Sequence, residues 1–204
     1  MMGRTHIAAG FAAGLVLASP HTLSGILLSA LGGAAGAVLC DIEMREKATR
    51  QDDRLLTRDL LVLLILLVLI LDSSLSLGIG EMLLTQRAAD AALGLLILTL
   101  TAVKGRFSPH RGFTHSLLYT FLITFGGWCI SRETGLGMLG GALSHLLLDL
   151  TNKKPLQLLW PLKKGFCLKW FLANRLANRI FLFLGLAADV LALSWYLGPI
   201  LHVL

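Results

Sequence analysis

Charge is scarce in this chain. Only 15% of its 204 residues are Asp, Glu, Lys or Arg, against 55% that are hydrophobic, and that apolar excess cannot be hidden in one water-soluble core. The stretch 60–71 holds no charged residue and no small breaker at all, so its solvent is lipid. The alternation of polar and apolar residues that marks a barrel strand is also missing. Lipid offers no partner to backbone N–H and C=O groups, so the Leu-, Ala- and Gly-rich runs must be helices. Cysteine is rare too: Cys40, Cys129 and Cys167 form no CxxC pair and imply no disulfide framework. Linkers and low-complexity tails are absent, which makes residues 1–204 a single transmembrane domain.

What is present is a series of seven apolar segments, 7–19, 23–40, 59–77, 88–103, 113–130, 134–150 and 180–197. They predict an all-α polytopic membrane protein with seven transmembrane helices. The first segment is short, roughly 20 Å at 1.5 Å per residue. Arg4 before it and Leu17-Ala18-Ser19 at its end also fit a signal peptide, whose cleavage would remove His6. A net charge of +6 needs no nucleic acid to explain it, because the charge is sorted by side. With seven spans, sixteen of the eighteen Lys and Arg residues fall on the side of the N-terminus, leaving Arg87 and Arg132 on the other. The positive-inside rule then places the N-terminus in the cytoplasm and the C-terminus outside, in the cell inner membrane. Trp128 and Trp195-Tyr196 fall at outer helix ends and Trp160 and Trp170 near the inner interface, where amphipathic rings settle.

An internal repeat is visible. Thr5-His6 recurs as Thr114-His115, Leu31-Gly32-Gly33-Ala34 as Leu139-Gly140-Gly141-Ala142, and Asp41 as Asp149. Two hairpins, 5–41 and 114–149, would each open with Thr-His and return to the same side at an Asp, and their Gly-Gly-Ala segments suit close helix contact. The segment 151–179 differs in kind, with seven basic residues, no acidic ones and interspersed Leu156, Leu158, Leu159, Trp160, Leu162, Phe166, Trp170 and Phe171. It reads either as an interfacial element that attracts anionic membrane lipids or as a loop that only sets topology. The connection 41–59 mixes both charge signs and reads as solvated beyond its first residues.

The residues that can carry chemistry collect on the inner side. In Ser144-His145-Leu146-Leu147-Leu148-Asp149, the His and Asp at i and i+4 share a helix face and can grip one cation together; alone, such a pair can equally bond to itself or to water. In Ser108-Pro109-His110-Arg111-Gly112-Phe113-Thr114-His115-Ser116, the two histidines would point about 140° apart in a continuous helix. They converge only if His110 lies in a turn, which Pro109 and Gly112 favour. Arg111 is either a stabiliser of an anionic oxygen or one more topogenic charge. His6, His110, His115 and His145 share the inner side with Asp41, Glu43 and Asp149, whereas His21 and His202 lie outside. Ionisable groups at membrane depth must pair, reach water or bind an ion, and mixed imidazole and carboxylate donors suit Zn, Mn or Fe.

These motifs resemble a known family. Thr5-His6, Asp41-Ile42-Glu43, His110-Arg111-Gly112-Phe113-Thr114-His115-Ser116, and Ser144-His145-Leu146-Leu147-Leu148-Asp149 followed by Leu159-Trp160-Pro161 look like the YdjM-type (DUF457) inner-membrane family of metal-dependent hydrolases. That family is in turn remotely similar to zinc phospholipase C. The resemblance implies a multinuclear phosphoesterase site with His6, Asp41, His110 or His115, His145 and Asp149 as metal ligands. Two positions depart from the family: Cys40 replaces the usual Pro, and Glu43 stands where Asp is usual, which puts the ligand role of residue 43 in doubt.

The leading expectation is therefore a divalent-metal hydrolase, zinc foremost, acting on a lipid-borne or small phosphoester at the cytoplasmic leaflet. Arg111 and His110 would serve catalysis, and Lys163 and Lys164 would hold the substrate anion. A transporter or channel is the alternative, resting on Asp189 deep in the last span, although that residue also reads as a structural hydrogen-bond acceptor facing the bundle. A membrane scaffold that merely retains a metal is a third.

Overall fold

The structure, a computed structural model, describes residues 3–43, 51–170 and 175–201. Residues 44–50 of the connection 41–59, together with Phe171 and His202, lie outside the described residues. The described residues are all-α, with eight α-helices: α1 (Gly3–Ala18), α2 (Leu23–Leu39), α3 (Gln51–Leu75), α4 (Ile79–Glu81), α5 (Ala88–Arg106), α6 (Leu117–Ile130), α7 (Arg132–Leu150) and α8 (Arg175–Leu201). Hydroxyl side chains start three of them. Thr22 accepts from the Gly25 N–H at 3.0 Å, Ser116 from Tyr119 at 3.1 Å and Ser131 from Thr134 at 3.0 Å, each satisfying a donor that the first helical turn leaves free.

Glycine builds the centre. Helices α1, α2 and α7 pack directly on one another through faces that carry almost no side chain. A Cβ on Gly33 would collide with the Gly10 carbonyl of α1, and one on Gly141 with the Gly33 carbonyl of α2. Lipid supplies no hydrophobic drive between helices, so close backbone approach through small residues is what holds such a triplet together. Helix α6 packs on α7, α5 on α6, and α8 on α1. Beyond this centre, α3, α5 and α8 turn leucines, isoleucines and Phe183 outward, an apolar surface far larger than water tolerates.

Each of the seven expected segments is helical in its main part, with two adjustments. Residues 113–115 form a separate 3-10 turn before α6. Helix α3 is followed by a sharp reversal of 106° between Val62–Leu75 and Ile79–Thr85. Asp72 fixes that reversal by accepting from Ile79 N–H at 2.8 Å and Gly80 N–H at 2.9 Å. The count of seven spans is not supported. By length and hydropathy, two helices among the described residues can cross a membrane, Ala88–Arg106 and Leu176–Ile200, or three if the bent pair is one span. The reason lies in composition: α1, α2 and α7 spend much of their length on Gly and Ala contact faces, α1 and α6 have only 16 and 14 residues, and α7 carries Arg132, Glu133, His145 and Asp149.

Candidate metal centre

Antiparallel packing brings the start of α1 and the ends of α2 and α7 to one end of the glycine core, and this sorts the ionisable residues. His6 sits in the first turns of α1, Asp41 and Glu43 just past α2, and His145 and Asp149 in the last two turns of α7. His115 arrives from the 3-10 turn before α6, which the Tyr119 hydroxyl ties to α2 by donating to Leu39 O at 2.8 Å. Ile42 packs toward Gly105 of α5, leaving its neighbours Asp41 and Glu43 for the histidines.

The geometry is tight. The rings of His6 and His145 stack with centroids 3.8 Å apart, and His145 Nε2 lies 3.3 Å from His115 Nε2. Asp41 Oδ1 is 3.5 Å from His115 Nε2 and 3.8 Å from His145 Nε2. Asp149 places Oδ1 3.7 Å from His6 Nε2 and Oδ2 3.7 Å from His115 Nε2. Glu43 Oε1 is 3.5 Å from His115 Nδ1 and 2.9 Å from His110 Nδ1. Ligands at about 2.0–2.1 Å from a tetrahedral ion stand about 3.3 Å from each other, so these separations are close to those of donors around a shared cation. Three sets of ligand atoms each lie within 4.8 Å: His6, Asp41 and His145; His115, His145 and Asp149; Asp41, Glu43 and His115. Any two sets share one residue, so the six side chains make one continuous donor surface.

Burial makes the same point. Both nitrogens of His6, Nδ1 of His145 and Oε2 of Glu43 are buried without a hydrogen-bond partner, and an orphaned buried polar atom commonly marks a missing ion or water. Nitrogen and carboxylate donors in this mixture fit a divalent cation such as zinc, manganese or iron. Burial pushes the Asp41 carboxyl up, but the surrounding His145, His115 and His6 outweigh it and hold the group well below the usual carboxylate range.

All five residues expected as metal ligands, His6, Asp41, His115, His145 and Asp149, are brought together. Of the two histidines expected as alternatives, His115 is buried in the cluster and His110 is exposed at its edge. Glu43, whose role the sequence left open, is buried in direct contact with both. Its signal was the Asp41-Ile42-Glu43 spacing, in which an apolar residue separates two acids at a helix exit.

Arg111 adopts a left-handed backbone, φ 65°, a conformation uncommon outside glycine. Its guanidinium donates to Asp149 Oδ2 at 3.0 Å and to the Lys154 carbonyl, while its own carbonyl accepts from Gln157 N–H at 3.0 Å. It therefore ties the loop after α7 to the cluster. Lys163 and Lys164 are exposed on that loop, with Lys164 Nζ 5.7 Å from the Phe166 ring centroid. Thr5-His6 and Thr114-His115 both reach the cluster, one within a helix and the other within a 3-10 turn. Asp189 approaches the backbone of Ala12 in α1, so it faces the bundle, and its Oδ1 has no partner.

Comparison with known proteins gives the lineage of this arrangement. A family model described as YdjM inner membrane protein matches residues 1–201. The chain belongs to the YdjM inner membrane protein family. Membership sets it among inner membrane proteins, in accord with its outward apolar surface. It is 40% identical over 81 residues to inner membrane protein YdjM of Escherichia coli (strain K12), and equally to that of Shigella flexneri. These alignments take in 36% of the chain and 41% of each YdjM relative, so the chain spans about two fifths of the length of the curated relatives it matches. No solved structure matches.

Proposed function

We propose that this YdjM-family protein is a membrane-embedded, metal-dependent hydrolase of a phosphoester at the cytoplasmic leaflet. The observation that carries the reading is the buried donor surface of three histidines, two aspartates and Glu43, with four of its polar atoms making no hydrogen bond. A divalent ion held there, zinc foremost, would lower the pKa of water and polarise a phosphoryl oxygen. The remaining roles fall to the chain itself. Glu43 holds His110 Nδ1, leaving the other ring nitrogen for proton transfer at the edge of the cluster. Arg111 orients Asp149 and keeps a buried Nε–H without a partner, which a substrate oxygen would satisfy. Lys163 and Lys164 attract the substrate anion from solution or from the bilayer.

The test is metal content by mass spectrometry of protein purified without chelator, together with phosphate release from a panel of lipid and small phosphoesters with added Zn or Mn. His145→Ala and Asp149→Asn should lose both metal and hydrolysis. A folded wild-type protein that binds no metal overturns the site. One that binds metal and hydrolyses nothing on the panel overturns the hydrolase reading in favour of a scaffold.

A further inference from the structure

The loop joining α7 to α8 is firmly held, yet its large apolar side chains point away from the protein. Its backbone is anchored at four places. Leu156 and Phe166 exchange N–H···O bonds of 2.8 Å in an antiparallel bridge, Leu158 O accepts from Leu117 N–H at 2.9 Å, Leu168 N–H donates to Leu150 O at 2.8 Å, and Gln157 N–H donates to Arg111 O. Leu156 is wholly buried beneath it. Leu159, Leu162, Leu168 and Trp170 nevertheless stand out at 47, 60, 48 and 68% exposure, and Phe107, at the adjoining end of α5, at 76%. Interspersed among them, Lys153, Lys154, Lys163, Lys164 and Lys169 are all exposed. None of these lysines forms an ion pair among the described residues, and no acidic residue occurs between positions 151 and 170.

A mobile loop in water would show such side chains only transiently, but here satisfied backbone bonds fix them outward. Apolar side chains alternating with lysines match an anionic bilayer surface, where ammonium groups meet headgroup phosphates and Trp and Leu enter the acyl boundary. The same end of α5 carries Lys104, whose Nζ lies 4.8 Å from the ring centroids of both Phe113 and Trp160, so the basic and aromatic surface is continuous from loop to helix.

We infer that residues 153–170, with Phe107, form a preformed docking surface for the anionic lipid headgroups of the leaflet beside the donor cluster, with Leu162 and Trp170 inserted below the headgroups. This inference needs only a membrane and does not depend on hydrolysis. Through Arg111, which bonds to both the Lys154 carbonyl and Asp149, it sets a lipid phosphate at the rim of the cluster.

The experiment uses the full chain reconstituted in phosphatidylcholine bilayers with or without phosphatidylglycerol. A spin label is placed at Leu162→Cys in a Cys129→Ser, Cys167→Ser background, the buried Cys40 being left in place. Depth is read from the ratio of collisions with oxygen to those with a water-soluble nickel chelate. With phosphatidylglycerol the label should collide severalfold more with oxygen than with nickel. That preference should fall with phosphatidylcholine alone, with added salt, or with Lys163→Gln and Lys164→Gln, while the melting temperature stays unchanged. A label that meets the nickel chelate freely in both bilayers overturns the inference, and leaves a soluble partner as the occupant. A depth indifferent to lipid charge and to the lysine substitutions overturns the headgroup role.

Discussion

His145 is the residue on which the cluster turns. It stacks on His6, faces His115 and belongs to two of the three donor sets, so His145→Ala removes a donor that two sets share. Arg111 acts at one remove, since its guanidinium touches Asp149 and the loop backbone. Partners that orient a ligand from outside typically contribute about 10- to 100-fold in metal affinity. Arg111→Ala should therefore weaken metal retention by about that factor without abolishing it, as read by competition with a chelator, whereas His145→Ala should leave no specific binding. Equal, complete loss in both would make Arg111 indispensable to the fold of the site. Glu43→Gln separates two roles: if its carboxylate is a ligand, metal affinity falls, and if it only holds His110, affinity persists while turnover drops.

At the level of the element, the cluster is as good as the glycine contacts that set it. Because a Cβ at Gly33 or Gly141 would enter the backbone of a neighbouring helix, Gly141→Val must push α2 and α7 apart. Overpacking of this kind costs about 1–3 kcal/mol or more. The displacement should reach Asp41 and Asp149, so thermal stability in detergent and metal content should fall together. Unchanged values for both would show that the helices do not meet there. Asp72 offers a contrasting case away from the cluster. Its two bonds to Ile79 and Gly80 N–H act as a cap, and Asp72→Ala should cost about 0.5–2 kcal/mol. Faster hydrogen exchange should then be confined to the reversal after α3, with metal content unaltered.

On the scale of the whole molecule, the chain has two unlike ends. One carries the donor cluster, the basic loop and the start of α8, where Thr5 Oγ1 donates to Asn178 O at 3.4 Å. At the other, Arg132 reaches Ala18 O at 3.4 Å and the hydroxyls of Ser19 and Tyr196 meet at 3.5 Å. The basic residues of the first end favour the cytoplasm, so a periplasm-active reporter fused after Leu204 should be active and a cytoplasm-active one silent. The reverse pattern would invert the orientation and move the cluster to the periplasmic face.

How much of this was legible beforehand follows from range. Helix and lipid exposure are local consequences of composition, since apolar runs in a solvent without hydrogen-bond partners have no other regular state; the gathering of His6, Asp41, His115, His145 and Asp149 was legible for a related reason, because ionisable residues in such runs need a partner or an ion. The tertiary structure decided the rest. It took glycine contacts between segments far apart in sequence to bury Glu43 and choose His115 over His110 for the interior. It also took a left-handed turn at Arg111 to direct that guanidinium to Asp149. The number of spans was not legible for the same reason: two or three described helices are long and apolar enough to cross a membrane, whereas α1, α2 and α7 spend their faces on contacts with one another.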